Sequence, residues 1–153
     1  SLELSQQDTL VLLVNERYKI PENLYIDHNV FQLASSNMIT PDIRIYSAEG
    51  STPTLRVQFY TQEEKPVYDN MDFNWNYKND TLRFDNYIKL AGQWRAQRVT
   101  LTLYLPENKK VLIPPQTSQY LRNLRDFDRG VRSRLNKDKI LLIMQDGKLH
   151  PLM

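Results

Sequence analysis

The chain contains no cysteine. That one absence removes disulfides, thiolate zinc sites, iron–sulfur clusters and cysteine nucleophiles together. Histidine is nearly as scarce: only His28 and His150 occur, and neither has a partner at metal-ligand spacing. Asp27 and His28 are neighbours whose side chains leave opposite faces of a strand, and no nucleophile elbow surrounds a serine that could use His28 as its base. None of the four glycines lies in a phosphate-cradling GxGxxG or GxxxxGK[ST] loop. Long apolar runs are missing as well. Leu10–Val14 and Ile140–Met144 fall far short of the ~20 residues that span a bilayer, and no signal-peptide pattern opens the chain. Ser1 is not a natural start, so the sequence reads as a processed or excised piece whose membrane anchor can lie outside it. A net charge of +2 over 153 residues gives no warrant for a nucleic-acid partner. The expectation is a chain with no catalytic residues, no cofactor and no metal. A glycosidase-type carboxylate pair has no sequence spacing and is recognised only in three dimensions.

What is present is a periodicity of two. Val99, Leu101, Leu103 and Leu105 alternate with Arg98, Thr100, Thr102 and Tyr104, which gives a strand one buried and one wetted face. Leu55, Val57 and Phe59 alternate in the same way, as do Ile43 and Ile45, and Leu82 and Phe84. Leu10–Val14 and Ile140–Met144 are denser and suit strands buried on both sides. Turn formers separate these runs, among them Asn79-Asp80, Pro106-Glu107-Asn108 and Asp146-Gly147. Asn79-Asp80 reads as a hairpin or a tight solenoid corner, and Pro106, with no donor for a ladder, should close the strand before it.

One segment departs from this pattern. Tyr120, Leu121, Leu124, Phe127, Val131 and Leu135 fall at spacings of one, three, three, four and four, a helical stripe. Pro114-Pro115 precedes it, Thr117 or Ser118 can cap it, and Gly130 interrupts it. Between Arg122 and Lys139 stand seven basic residues against three acidic ones, so this stretch carries +4 and the rest of the chain −2. Arg122, Arg125, Arg129 and Arg132 would share a helical face able to meet anions or an acidic partner, the bland reading being a solvated face with i,i+4 pairs such as Arg122–Asp126 and Asp128–Arg132. A second candidate surface is the aromatic stripe Phe73, Trp75 and Tyr77, a platform for sugar if exposed and core packing if not.

Within the strands, Asp80-Thr81-Leu82-Arg83-Phe84-Asp85 leads into Tyr87-Ile88-Lys89-Leu90, and Gln93-Trp94-Arg95-Ala96-Gln97-Arg98 runs on through Val99-Thr100-Leu101-Thr102-Leu103-Tyr104-Leu105-Pro106-Glu107. This resembles the C-terminal region of phage-shock-protein-C-type membrane proteins of the Bacteroidota, where a "DTLxFDxYF" strand precedes a "KWRxQxVxLTLYLPEG" segment. Asp42–Gly50 and Asp8-Thr9-Leu10 are similar to further stretches of that family, and the resemblance is most specific over 80–107. It implies kinship with adhesin-head-like (GIN) domains, a β-solenoid, and a place outside the cytoplasm beside an N-terminal membrane part. It carries no catalytic residues. The family's acidic "YLDESM" turn is here Ile113–Ser118, and the Arg-rich segment is particular to this chain.

Together these observations predict a mainly β fold: a single-chain β-solenoid or coiled β-sheet with a short helical segment near 117–135, or alternatively a β-sandwich plus helix. One domain spans 1–153, with a core over 8–113, an Arg-rich helical segment at 117–137 and a closing strand at 139–145. The expected role is a non-catalytic, extracytoplasmic (periplasmic) interaction or sensing module of an inner-membrane or envelope protein, with a protein or envelope polymer as partner and no nucleic acid. A carbohydrate-binding module using exposed aromatics is the alternative, followed by an enzyme.

Overall fold

A computed structural model describes residues 2–4, 8–18, 30–33, 36–61, 71–91, 96–135 and 137–152. Strands dominate them: β1 (Leu2–Glu3), β2 (Thr9–Asn15), β3 (Val30–Leu33), β4 (Ser36–Ile39), β5 (Asp42–Ala48), β6 (Thr54–Tyr60), β7 (Met71–Asp72), β8 (Trp75–Lys78), β9 (Thr81–Asp85), β10 (Ile88–Leu90), β11 (Arg98–Pro106), β12 (Lys110–Ile113), β13 (Ile140–Gln145) and β14 (Lys148–Pro151). They form three open sheets in the orders β1-β6-β11-β5, β3-β4-β10-β7 and β14-β13-β12-β2-β9-β8.

The chain travels round these sheets. From β9 in the six-stranded sheet it passes through β10 in the second four-stranded sheet and β11 in the first, then returns to the six-stranded sheet as β12. The earlier passage from β2 through β4 to β5 visits the same sheets in the same order. The two circuits stack in parallel where β2 meets β9 and β5 meets β11. The strands are those the alternation predicts, and their solenoid-like, mainly β arrangement is the one the resemblance implies, with an antiparallel β4–β10 contact on the third face. The circuits are interleaved. β11 lies between β5 and β6, and β2 lies between β9 and β12.

Alternation sets the core. Val99, Leu101, Leu103 and Leu105 of β11 are buried together with Ile43 and Ile45 of β5, Leu55 of β6, and Leu82 and Phe84 of β9. Truncating Leu101 or Leu103 to alanine should cost about 2–5 kcal/mol, the lost transfer energy plus the cavity left behind. Core residues also come from beyond 113: Tyr120, Leu121, Phe127, Val131, Leu135, Ile140, Leu142, Met144 and Leu149 are all buried. Asn79-Asp80 is a two-residue hairpin, with φ of 54° and 57° and Lys78 paired to Thr81. Asp146-Gly147 repeats that geometry between β13 and β14, with φ of 54° and 77°. Both are the positive-φ turns that match strand twist. The expected closing strand is therefore β13, with β14 folded back beyond it.

Candidate functional site

The segment from 114 to 135 does not form the helix its spacing predicts. It contains one helical turn, α1 (Pro115–Ser118), a 3-10 turn at Leu124–Asp126 and a second helical turn, α2 (Arg129–Arg132). The reason lies in where its polar groups go. Lys110 N–H bonds the Asp8 carbonyl, and the same two-residue step would bring the N–H of residue 114 to Leu12. Residue 114 is proline and has none to give. The Thr117 hydroxyl takes that place, 2.8 Å from the Leu12 carbonyl. Next, the Tyr120 carbonyl accepts from Ile43 N–H and Arg122 N–H donates to the Ile43 carbonyl, both at 2.9 Å. The buried Asn123 then pairs with Ile45 as a peptide group would. Its Oδ1 accepts from Ile45 N–H at 3.1 Å, and its Nδ2 donates to the Ile45 carbonyl at 2.6 Å. Backbone groups that a helix would pair within itself instead cover the outer edge of β5. The apolar spacing survives because each successive turn drops one side chain into the core.

The four arginines consequently do not share one helical face. Arg122 lies outside any helix, its Nε 3.0 Å from Asp42 Oδ1 and its Nη1 2.8 Å from the Gln119 carbonyl. Asp42, not the expected Asp126, is its acidic partner. Arg125, Arg129 and Arg132 are exposed. Of these, Arg125 borders a groove of about 460 Å3 between the end of β5, the 3-10 turn and the β13–β14 hairpin. Ser47, Asp126, Phe127, Gly147 and Lys148 also line it. Arg44, on the adjoining face of β5, donates to Tyr46 Oη at 3.4 Å; that bond, with Asp126 adding attraction, raises its pKa above the ordinary arginine value.

The coverage of β5 stops at this groove. Ile43 and Ile45 turn their backbone groups outward to residues 120–123. Successive strand residues alternate in the side to which they bond, so Ser47 N–H and C=O also face outward, past the last covering group. Ser47 is exposed.

The aromatic stripe lies elsewhere. Phe73 is buried, and Trp75 and Tyr77 are partly buried and packed against the core. Of the large exposed rings, Tyr60 at the end of β6 carries the Arg98 guanidinium 4.7 Å from its centroid. His28 and Trp94 lie outside the described residues.

Part of the outer face of the six-stranded sheet is aliphatic, with Lys110 and His150 beside Ile143 and Thr81 and Arg83 beside Val11 and Leu13. Val11, Leu13, Leu112, Leu141 and Ile143 occupy the outward positions of β2, β12 and β13 and are half-buried. Leu112 is in register with Leu141 on one side and Val11 on the other. The dense runs Leu10–Val14 and Ile140–Met144 thus have one fully buried face and one aliphatic face turned outward. The expectation that these runs are strands buried on both sides is therefore met on one face only; on the other the side chains are half-buried.

The carboxylate cluster at the other end of β9 is structural. Arg17 forms a bidentate pair with Asp72, both bonds 2.8 Å, and reaches the buried Asp85 at 3.0 Å. Asp85 also accepts from Asn15 Nδ2 at 3.2 Å and Asn74 N–H at 2.8 Å. Hydrogen bonding to the two aspartates raises the Arg17 pKa, and the Arg17 bond holds Asp72 below the usual carboxylate range. Burial raises the pKa of the Tyr120 phenol, whose ring meets Phe84 edge-on at 5.7 Å. Among the described residues, no group of three or more His, Asp or Glu could hold a metal ion, and no helix is long and apolar enough to cross a membrane.

A family model described as a toast-rack domain found in some PspC proteins, in their C-terminal region, matches residues 22–151. Comparison with curated proteins and with solved structures gives no match.

Proposed function

The chain belongs to the toast-rack family found in some PspC proteins, and from that membership we propose that it is a non-catalytic protein-binding module displayed outside the cytoplasm by a membrane-anchored parent. The observation that carries the reading is the outward aliphatic row Leu141–Leu112–Val11, extended by Leu13 and Ile143 across three adjacent strands. A contiguous apolar patch on a sheet face is a feature of surfaces that dock another protein. Support for a non-catalytic role comes from Asp85, whose buried carboxylate is taken up by Arg17, Asn15 and the Asn74 N–H. A sugar-binding role for Phe73, Trp75 and Tyr77 draws less support, because these rings turn toward the core.

The test places a photo-crosslinking residue at Val11 in the full-length parent. Discrete adducts in the envelope fraction that disappear in a Leu112→Lys variant are expected, with circular dichroism showing that the variant, altered at a half-buried position, still folds. Unchanged adducts in that variant, or none at all, refute the reading. Localisation has its own measurement. With no native cysteine in this chain, a Ser51→Cys variant, at an exposed turn position, in an otherwise thiol-free parent should react with a membrane-impermeant maleimide in intact cells. Reaction only after lysis would place the domain inside.

A further inference from the structure

We propose that the groove at the end of β5 is a second binding site, which takes an extended, acidic peptide segment of a protein partner as an added strand. It lies on the side of the six-stranded sheet opposite the aliphatic row: Met144 and Leu149, which line it, point inward, whereas Leu141 and Ile143 point outward. The inference therefore stands independently of the sheet-face reading.

Three observations converge here. The first is an incomplete ladder. Residues 120–122 pair with Ile43 through their backbone, and the Asn123 amide pairs with Ile45. The next outward-facing backbone pair, at Ser47, meets open groove. A peptide bond placed there would accept from Ser47 N–H and donate to its carbonyl, continuing an edge that the chain itself has begun to cover. Strand addition at an exposed edge is a recurrent mode of peptide recognition. The second is charge. Arg125 and Lys148 border the groove and Arg44 adjoins it, against the single carboxylate of Asp126. Arg125 and Lys148 are exposed and have no carboxylate within ion-pair distance among the described residues. An incoming aspartate or glutamate would meet two cations with no carboxylate partner among the described residues, a complementarity that gives specificity and on-rate. The third is shape. At about 460 Å3 the space lies within the range of ligand sites.

The probe is a blocked peptide, acetyl-Thr-Val-Asp-Val-Thr-amide, titrated into the 15N-labelled domain. The amide signals of Ser47 and Gly147 should shift, and hydrogen exchange at Ser47 should slow by at least about tenfold when the site is saturated, as an amide does on joining a ladder. Replacing the aspartate by asparagine, or using an Arg125→Glu/Lys148→Glu domain, should weaken binding at least about tenfold. N-methylation of the peptide's central residues should abolish it. A Ser47→Pro domain should also lose binding while keeping its β11 ladder, because the Ser47 N–H points away from β11. Fingerprint spectra of each variant establish that it folds. A free-acid version of the peptide separates side-chain carboxylates from a terminal one: tighter binding by the blocked aspartate peptide supports the proposal, and binding that needs only a free terminus overturns it. No shift at millimolar peptide, equal binding of the N-methylated or asparagine peptide, or shifts only with an acidic oligosaccharide would also overturn it. If the peptide fails while Leu112→Lys still removes the adducts at Val11, this inference falls and the sheet-face reading remains.

Discussion

Asn123 offers the sharpest test of how residues 117–123, the strap that covers the outer edge of β5, work. Its side chain is buried and carries both hydrogen bonds that a neighbouring strand would supply to Ile45, at 3.1 and 2.6 Å. In Asn123→Ala both disappear, and Ile45 keeps an unpaired N–H and C=O. Each unsatisfied buried group costs about 1–3 kcal/mol, so with some relief from entering water the loss should be about 2–4 kcal/mol. For a chain of this size that lowers the thermal midpoint by roughly 5–15 °C. Asn123→Asp separates the two bonds. The introduced carboxylate still accepts from Ile45 N–H, but when ionised it sets an anion against the Ile45 carbonyl where a donor stood. Burial and that repulsion raise its folded-state pKa above the unfolded value of about 3.9. A raised carboxylate pKa means the variant is least damaged below the unfolded pKa and loses stability as pH rises through the folded one. Urea unfolding at pH 4 and pH 7.5 reads this directly: the gap to wild type should widen with pH for Asn123→Asp and stay constant for Asn123→Ala. An alanine variant within about 0.5 kcal/mol of wild type, the range of an ordinary surface substitution, would refute the account, as would a pH-independent gap for the aspartate variant.

Thr117→Val keeps the side-chain shape but leaves the Leu12 carbonyl without its donor, and should cost about 1–2 kcal/mol in the same urea assay. Asp72→Asn should cost under about 1 kcal/mol at pH 7, since Asp72 is half exposed and its pair with Arg17 is screened. Because Arg17 lowers the Asp72 pKa, that stabilisation is present above the unfolded pKa and lost as pH falls through the folded one, so wild type and variant should converge below about pH 4 in acid titrations. Asp80→Gly should stabilise the chain by up to about 1 kcal/mol by calorimetry, since Asp80 sits at a φ of 57° in a turn that favours Asn-Gly.

The strands were legible because alternation is a local signal: Val99 to Leu105 and Ile43-Arg44-Ile45 name their own buried faces. The turns at Asn79-Asp80 and Asp146-Gly147 were legible for the same reason. The strap was misjudged because three- and four-residue spacing also arises when consecutive irregular turns each bury one side chain. What distinguishes the two cases is the proline at 114 and the pull of β5's open edge, and that edge belongs to residues remote in sequence. Asn123 had no local mark. An asparagine between Arg122 and Leu124 reads as a surface residue until Ile45 is placed beside it. The basic segment drew attention to Arg125, which borders the groove, but Lys148 and Ser47 join it only through folding, and Arg122 is paired with Asp42.

The interleaving of the two circuits has a consequence for how the chain acquires its structure. β5 and β6 are separated by only a short turn, yet neither pairs with the other; both wait for β11, as β2 waits for β9 and β12. Contacts between such distant segments must be made before they are rewarded, so folding should be slow for the chain's size. While the amino-terminal half is emerging alone, it exposes strand edges and aliphatic faces with no native partner yet made, a state prone to aggregation. A uniform solenoid can grow coil by coil from one end; this one has no early stopping point, and fragments cut before residue 106 should remain unfolded.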